Sequence, residues 1–166
     1  MIEVTLEFLP LTAALVEEIS PWFDDAATQR FLGDRSWIQR ELTLVSTQPG
    51  TTFRGLRVTG RYAWVSLDSA FGLVGFLDVE VYDDHTAAFA VVVAPEFRGR
   101  GICAQLLTAL DERVELSAIV RYTGSFDASN NSSRRALLKA GFRIAAEVNE
   151  EGDYAAERNR EGDLTG

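Results

Sequence analysis

Cysteine, histidine and methionine occur once each in the 166 residues, and proline four times. A lone cysteine permits no internal disulfide, so a reducing cytoplasm is the expected compartment. With one histidine and one cysteine there is no cluster of ligand-type residues at metal-site spacing, and no metal is expected. No apolar run approaches the ~20 residues that a membrane-spanning helix needs. The chain opens Met1-Ile2-Glu3-Val4-Thr5-Leu6-Glu7-Phe8, alternating apolar and acidic residues. That is a strand pattern, without the basic start and apolar core of a secretion signal. Basic residues are also scarce: 16 Lys and Arg stand against 25 Asp and Glu, a formal charge of -9. Such a surface repels phosphate backbones and argues against a nucleic-acid partner, while a cationic ligand suits it. Solubility alone also accounts for net charge of this size.

What is present reads as one domain over residues 1–158, followed by a polar tail at 159–166. Ile2, Val4, Leu6 and Phe8 share a face of a first strand that Pro10 ends. Thr12 is placed to cap a helix carrying Leu15, Val16 and Ile19, and Ser36 to cap a second with Trp37, Glu41, Leu42 and Val45. Residues 61–67 and 71–82 read as strands, with a turn at Asp83-Asp84-His85. Residues 86–93 form a nearly continuous apolar run, the pattern of a central strand. A helix follows with apolar positions at Ile102, Leu106, Leu107, Leu110 and Val114. Residues 118–126 form another strand, residues after Asn131 a helix ending at Gly141, and residues 143–157 a last hairpin. The order β-α-α-β-β-β-α-β-α-β-β contains no repeat and no linker.

Between the apolar run and its helix lies Arg98-Gly99-Arg100-Gly101. The first N–H groups of a helix lack internal partners and carry partial positive charge. Glycines let an anion come close to that backbone, so the loop is a candidate phosphate cradle. Gly101 is followed by Ile102, which removes the Lys-Ser/Thr of a P-loop. The spacing tolerates a dinucleotide fingerprint, but that motif follows the first strand of its fold, and this one follows about the fourth.

Residues 91–103, Val-Val-Val-Ala-Pro-Glu-Phe-Arg-Gly-Arg-Gly-Ile-Cys, resemble the acetyl-CoA signature of the GCN5-related N-acetyltransferases, whose pattern is Gln/Arg-x-x-Gly-x-Gly/Ala. Arg98 and Gly101 match, and Cys103 departs from the last position. Asn130-x-x-Ser133 followed by Gly141-Phe142 resembles a second family block, in the version found in the subgroup acetylating ribosomal-protein N-termini. The resemblance implies an α/β (α+β) fold with a mixed, mostly antiparallel sheet of about six to seven strands flanked by about four helices. It implies acetyl-CoA as cosubstrate, a primary amine on a small molecule or peptide as acceptor, and, as often in the family, a homodimer. It also implies roles. Backbone amides of Arg98, Gly99, Arg100, Gly101, Ile102 and Cys103 would hold pyrophosphate, the strand edge at Val91 and Val93 would pair with the pantetheine arm, and Asn130 and Ser133 would lie beside it.

Two positions depart from the family. Leu137 stands where many members have a tyrosine that protonates the departing thiolate. The central strand has Ala87-Ala88-Phe89-Ala90 where many have a glutamate base. A neutral amine is required for attack, so another base is expected, and Glu80 and Asp78 share one face of the preceding strand. His85 reads as a surface turn residue and Cys103 as a small packing residue. Trp22, Phe23, Phe31, Asp34 and Trp37 are candidates for the acceptor side. The alternative to an enzyme using a ternary complex is a non-catalytic module that binds CoA.

Overall fold

The computed structural model describes residues 1–160. Its strands are β1 (Leu6–Pro10), β2 (Thr52–Phe53), β3 (Leu56–Asp68), β4 (Gly72–Tyr82), β5 (Thr86–Val93), β6 (Arg121–Asp127), β7 (Arg143–Ile144) and β8 (Asp153–Asn159). The helices are α1 (Ala13–Ile19), α2 (Ala26–Phe31), α3 (Arg35–Val45), α4 (Ile102–Ala109) and α5 (Asn131–Lys139). The sheet runs β1-β3-β4-β5-β6-β8-β7, with β2 paired to β3. Every pairing is antiparallel except β5 with β6. The expected mixed, mostly antiparallel sheet is therefore present, with eight strands and five α-helices among the described residues. The additions are short: β2 has two residues and α2 six.

Helix starts follow local capping chemistry. The side chains of Thr12, Asp25 and Asn130 accept from backbone N–H groups three residues on, at 3.2, 3.0 and 3.2 Å. The start of α3 lies two residues earlier than expected. Asp34, not Ser36, is its cap, accepting from Ser36 N and from the Ser36 hydroxyl. Aspartate satisfies free helix donors and complements the dipole at once. α4 ends sooner than its apolar spacing suggests. Two short 3₁₀ turns follow it, and Val114 is 78% exposed. Ile2 and Val4 precede β1 instead of forming part of it. Ile2 N donates to Arg100 O at 2.9 Å, and Val4 N to Gln105 Oε1 at 3.0 Å. The last strand reaches into the segment expected as a tail. Asn159 pairs with Arg121 and Arg160 N donates to Val120 O. The rest of that segment, 161–166, lies outside the described residues.

Alternation along β3 and β4 divides the core in two. Val65 and Phe76 pack under α1 and α3 with Val16, Ile19, Phe23 and Ile38. Leu77 and Val79 face α4 and α5 with Leu107, Leu110, Tyr122, Leu137 and Phe142. Arg158 closes the second layer. It donates to Ala140 O, Leu107 O and Asp111 Oδ1, and its guanidinium lies over the Phe142 and Tyr122 rings. α4 reaches the sheet over Gly75, where a Cβ would stand 2.6 Å from Leu106 Cδ1 and 3.1 Å from Val92 O. Gly75→Ala is expected to destabilise the fold by about 1–3 kcal/mol through overpacking, read from urea unfolding midpoints.

Candidate functional site

β5 and β6 pair only from Thr86 to Ala88 and from Arg121 to Thr123. Beyond that, β5 remains paired with β4 as far as Val93, and β6 with β8 as far as Asp127. The two inner edges face a gap. Phe89 stands at its origin: a Cβ on Gly124 of β6 would meet the Phe89 ring at 2.8 Å, and that ring also packs on Phe142 at 5.2 Å. Ala94 N donates across to Val74 O in β4. By the alternation of an antiparallel ladder, Val93 and Val91 turn their backbone groups toward the gap. Val93 O accepts there from Arg98 Nε at 3.4 Å.

The gap opens into a cavity of about 460 Å³. Val91, Val93, Arg98, Gly99, Gly101, Ile102, Cys103, Asn130 and Ser133 all line it; of the expected cofactor residues only Arg100 does not. Gly99 and Gly101 have φ of +74° and +83°, a region that suits glycine. Nothing lies within 4 Å of a Cβ built on Gly99, so the backbone is open there, whereas at Gly101 a Cβ would meet Met1 Cγ at 2.9 Å. Asn130 caps α5 through its carbonyl oxygen, which leaves its amide N–H₂ as donor.

The charge at this cavity is arranged differently from the simple expectation. Arg98 is tied by its terminal nitrogens to Asp25 at 2.9 and 3.1 Å and to Thr28 Oγ1 at 2.7 Å. That bond holds the Asp25 carboxyl well below the usual carboxylate range. The guanidinium thus fastens the start of α2 to the loop, and its charge is already compensated. Arg135 and Lys139 on α5, not singled out from the sequence, also line the cavity. Lys139 is the only lysine in the chain. The signal for both was present: basic residues at i and i+4 share a helix face. Cys103 is half-buried on the cavity wall, and desolvation pushes its thiol up to about 12. It stays a protonated, uncharged thiol near neutral pH.

A second cavity, of about 260 Å³, continues along β5. Ala88, Phe89 and Ala90 form one wall, and Asp78, Glu80, Arg61, Tyr62, Trp37 and Glu41 stand around it. Asp78 and Glu80 do share a face, and α3 covers it. Glu80 is bound on both oxygens, by Arg61 Nε at 2.9 Å and by the Tyr82 hydroxyl at 2.9 Å. Asp78 has no such cation. Burial, then a hydrogen bond and repulsion from Glu41, raise its pKa well above the ordinary value. Of the early aromatic candidates, Trp37 lines this cavity and Phe31 the larger one, whereas Trp22 and Phe23 are core. Leu137 is buried among Leu107 and Phe142 and lines neither cavity. Tyr122 is also buried, donating to Leu110 O at 3.3 Å. His85 is an exposed turn residue with φ of +64°. No group of three or more metal-ligating side chains occurs among the described residues, nor any helix long and apolar enough to cross a membrane.

Two solution properties follow. An acid whose pKa is raised on folding adds stability that is complete below its unfolded pKa and is lost as pH rises through the folded one. The Asp78 contribution is therefore expected to fade from about pH 4 upward, against the opposite trend of carboxyls such as Asp25, and the difference in urea stability between wild type and Asp78→Asn to change with pH accordingly. Cys103 is expected to react far more slowly than a free thiol with a disulfide reagent at about pH 8, followed spectrophotometrically.

Residues 5–143 match the model of the acetyltransferase (GNAT) domain. Among solved structures, an aminoglycoside acetyltransferase, AAC(6')-Ib, in complex with coenzyme A superposes with a TM-score of 0.72 at 14% identity, over 94% of this chain and 95% of that one. The spermidine N-acetyltransferase of Vibrio cholerae, in complex with CoA and spermine, gives a TM-score of 0.72 at 14% identity, over 93% and 95%. An acetyltransferase from Thermus thermophilus gives 0.72 at 17%, over 94% and 97%. No curated protein matches by sequence. At such identities the superpositions establish a common fold, and the match to the domain model establishes kinship: the chain belongs to the GNAT acetyltransferase family.

Proposed function

We propose that this protein transfers the acetyl group of acetyl-CoA to a primary amine by direct attack in a ternary complex. The observation that carries the reading is the open inner edge of β5, which leads from the glycine loop at one end to a carboxylate-lined cavity at the other. A thioester bound along that edge has its phosphates at the start of α4 and its acetyl end near Ala90, where the two cavities approach each other. Backbone amides of residues 98–103 serve the pyrophosphate, since helix-start donors have no internal partners. The backbone of Val91 and Val93 serves the pantetheine amides as an added strand would. The Asn130 amide donates to the same arm, and Ser133 stands beside it. Arg135 and Lys139 add the positive charge that the Arg98–Asp25 pair does not supply.

The second cavity is the acceptor side. Its acids favour a cation, and Trp37 gives it an apolar wall. Both of the named structural relatives with an identified substrate act on amines: an aminoglycoside in one and spermidine in the other. A protein α-amine also belongs among the acceptors to be tested, because the Asn130-x-x-Ser133 block resembles the ribosomal-protein subgroup. No tyrosine stands at position 137, and a thiolate, with a thiol pKa of about 8.5, leaves without help and takes its proton from water.

A screen of amine classes with CoA release as readout tests the reading. If CoA binds but no amine in the screen gives release, the chain is instead a non-catalytic module. Gly101→Glu is expected to abolish CoA binding by calorimetry in a folded protein, since it places bulk and negative charge where phosphate sits. Asn130→Ala is expected to weaken CoA binding about 5–20-fold, the worth of one hydrogen bond. Loss of stability with full CoA affinity in that variant reduces Asn130 to its capping role.

A further inference from the structure

We propose that Glu41 of α3 and Asp78 of β4 hold a single proton between them and together form the base that takes the proton of the incoming ammonium. The proposal deepens the acetyltransferase reading and rests on it. Three observations carry it. First, both carboxyls line the acceptor cavity, which is walled by Ala88, Phe89 and Ala90 of β5. Asp78 is paired in register with Ala90, the residue just before the open edge at Val91. Second, the two acids come from separate elements, yet they meet on this one cavity, with the Glu41 carboxyl near enough to act on Asp78 through a hydrogen bond and through its charge. Two carboxylates are both acceptors, so such a bond requires a proton on one of them. Third, Glu80, the other acid on the face, is already occupied by Arg61 and Tyr82.

The charged and titratable groups facing the pair are few. α3 contributes only Glu41 itself, β3 contributes Arg61, β4 contributes Glu80, and β5 contributes none among its cavity residues. Arg61 donates through Nε to Glu80 and through Nη2 to Thr51 Oγ1. No ion pair joins a cation to Glu41 or Asp78 among the described residues. Arg61 Nη1 is buried without a partner among the described residues, but no cation is bonded to either acid, so two negative charges in this desolvated site repel and the doubly ionised pair is a base. Burial and the Glu41 carboxylate act on Asp78 in that same direction.

The ammonium of an acceptor supplies the missing positive charge as it enters. One of its N–H bonds breaks, an O–H bond forms on the pair, and the nitrogen keeps the electron pair. The pair is left in its singly protonated form, the state that burial favours. The freed lone pair then forms the C–N bond to the thioester carbonyl carbon, and the C–S bond breaks. The second proton lost from nitrogen passes through water to the thiolate, and the pair returns its own proton to solvent. The sum is ammonium plus thioester giving amide, thiol and one proton. Alanine and phenylalanine at the family's usual base position are thus no obstacle, because the base reaches the same point from the neighbouring strand and from α3.

The test is an infrared titration of the full chain, with acetyl transfer measured alongside. The carbonyl band of a protonated carboxylic acid is expected to persist at about pH 6, where exposed Asp and Glu are ionised. Asp78→Asn is expected to remove it. Glu41→Gln keeps the volume but removes the like charge, and is expected to move the band's titration down by about one pH unit or more. Spermine, kanamycin and benzylamine serve as acceptor probes. With a probe that is acetylated, kcat/KM is expected to rise with pH at the same midpoint as the band falls. Glu41→Gln is expected to shift that rise to lower pH and to slow transfer about 10–100-fold. Absence of the band in wild type, or a band whose titration Glu41→Gln leaves in place, overturns the shared proton. A pH–rate rise that ignores both substitutions overturns the role as base. CoA affinity, measured on the same samples, separates this from the wider reading. A normal band with no CoA binding overturns the acetyltransferase assignment and leaves the shared proton standing.

Discussion

The parting of β5 from β6 is the constraint on which the rest of the structure depends. Three residue pairs in parallel register join the strands, and just beyond them the Phe89 ring lies against Gly124 of β6. Phe89 has room there because position 124 is glycine and because Phe142 receives the ring from the far side. Backbone groups that would have been satisfied within the sheet are left for something else. A buried, half-paired strand is costly unless a partner completes it, and an extended ligand with amide groups is such a partner. The same parting frees the start of α4, which leaves β5 through a tight loop with two left-handed glycines.

The anionic surface and the site's own electrostatics have separate origins. At the larger cavity the obvious cation, Arg98, is committed to Asp25, so it shapes the loop and ties α2 to it. Further positive charge comes from α5 instead, one helix away. At the smaller cavity the balance is reversed. Glu80 has its arginine and Asp78 has only another acid. One side chain in each cavity is thus neutralised by structure, and its neighbour is left to respond to a ligand. Burial decides the rest: it leaves Cys103 a protonated thiol and makes the Asp78 carboxyl hard to ionise.

Much of this was legible in the residues. β5 was readable to the residue, because an apolar run with β-branched members has one stable use at the centre of a sheet. The glycine loop and the Asn130 cap were readable because backbone geometry at a helix start admits few residue types. α2 was not: six residues without an amphipathic stripe are held mainly by Asp25, whose partner Arg98 lies 73 residues away in sequence. The outward position of Val114 was also hidden, since helical spacing cannot say where a helix gives way to 3₁₀ turns.

Sequence alone determined the alternation that puts Asp78 and Glu80 on one face, because side chains in a strand repeat with period two. It determined as well that residues 98–101 offer backbone to an anion, because glycine imposes that locally. Tertiary structure decided what meets each of these features. Whether the Asp78 face looks at water or at α3 depends on packing between segments far apart in the chain, Glu41 and Asp78 among them. Whether Arg98 is free or bound, and whether Leu137 stands in the site or in the core, depends likewise on contacts between distant segments. Local pattern fixes the direction of a side chain on its own element, and only the assembled layers fix what lies in that direction.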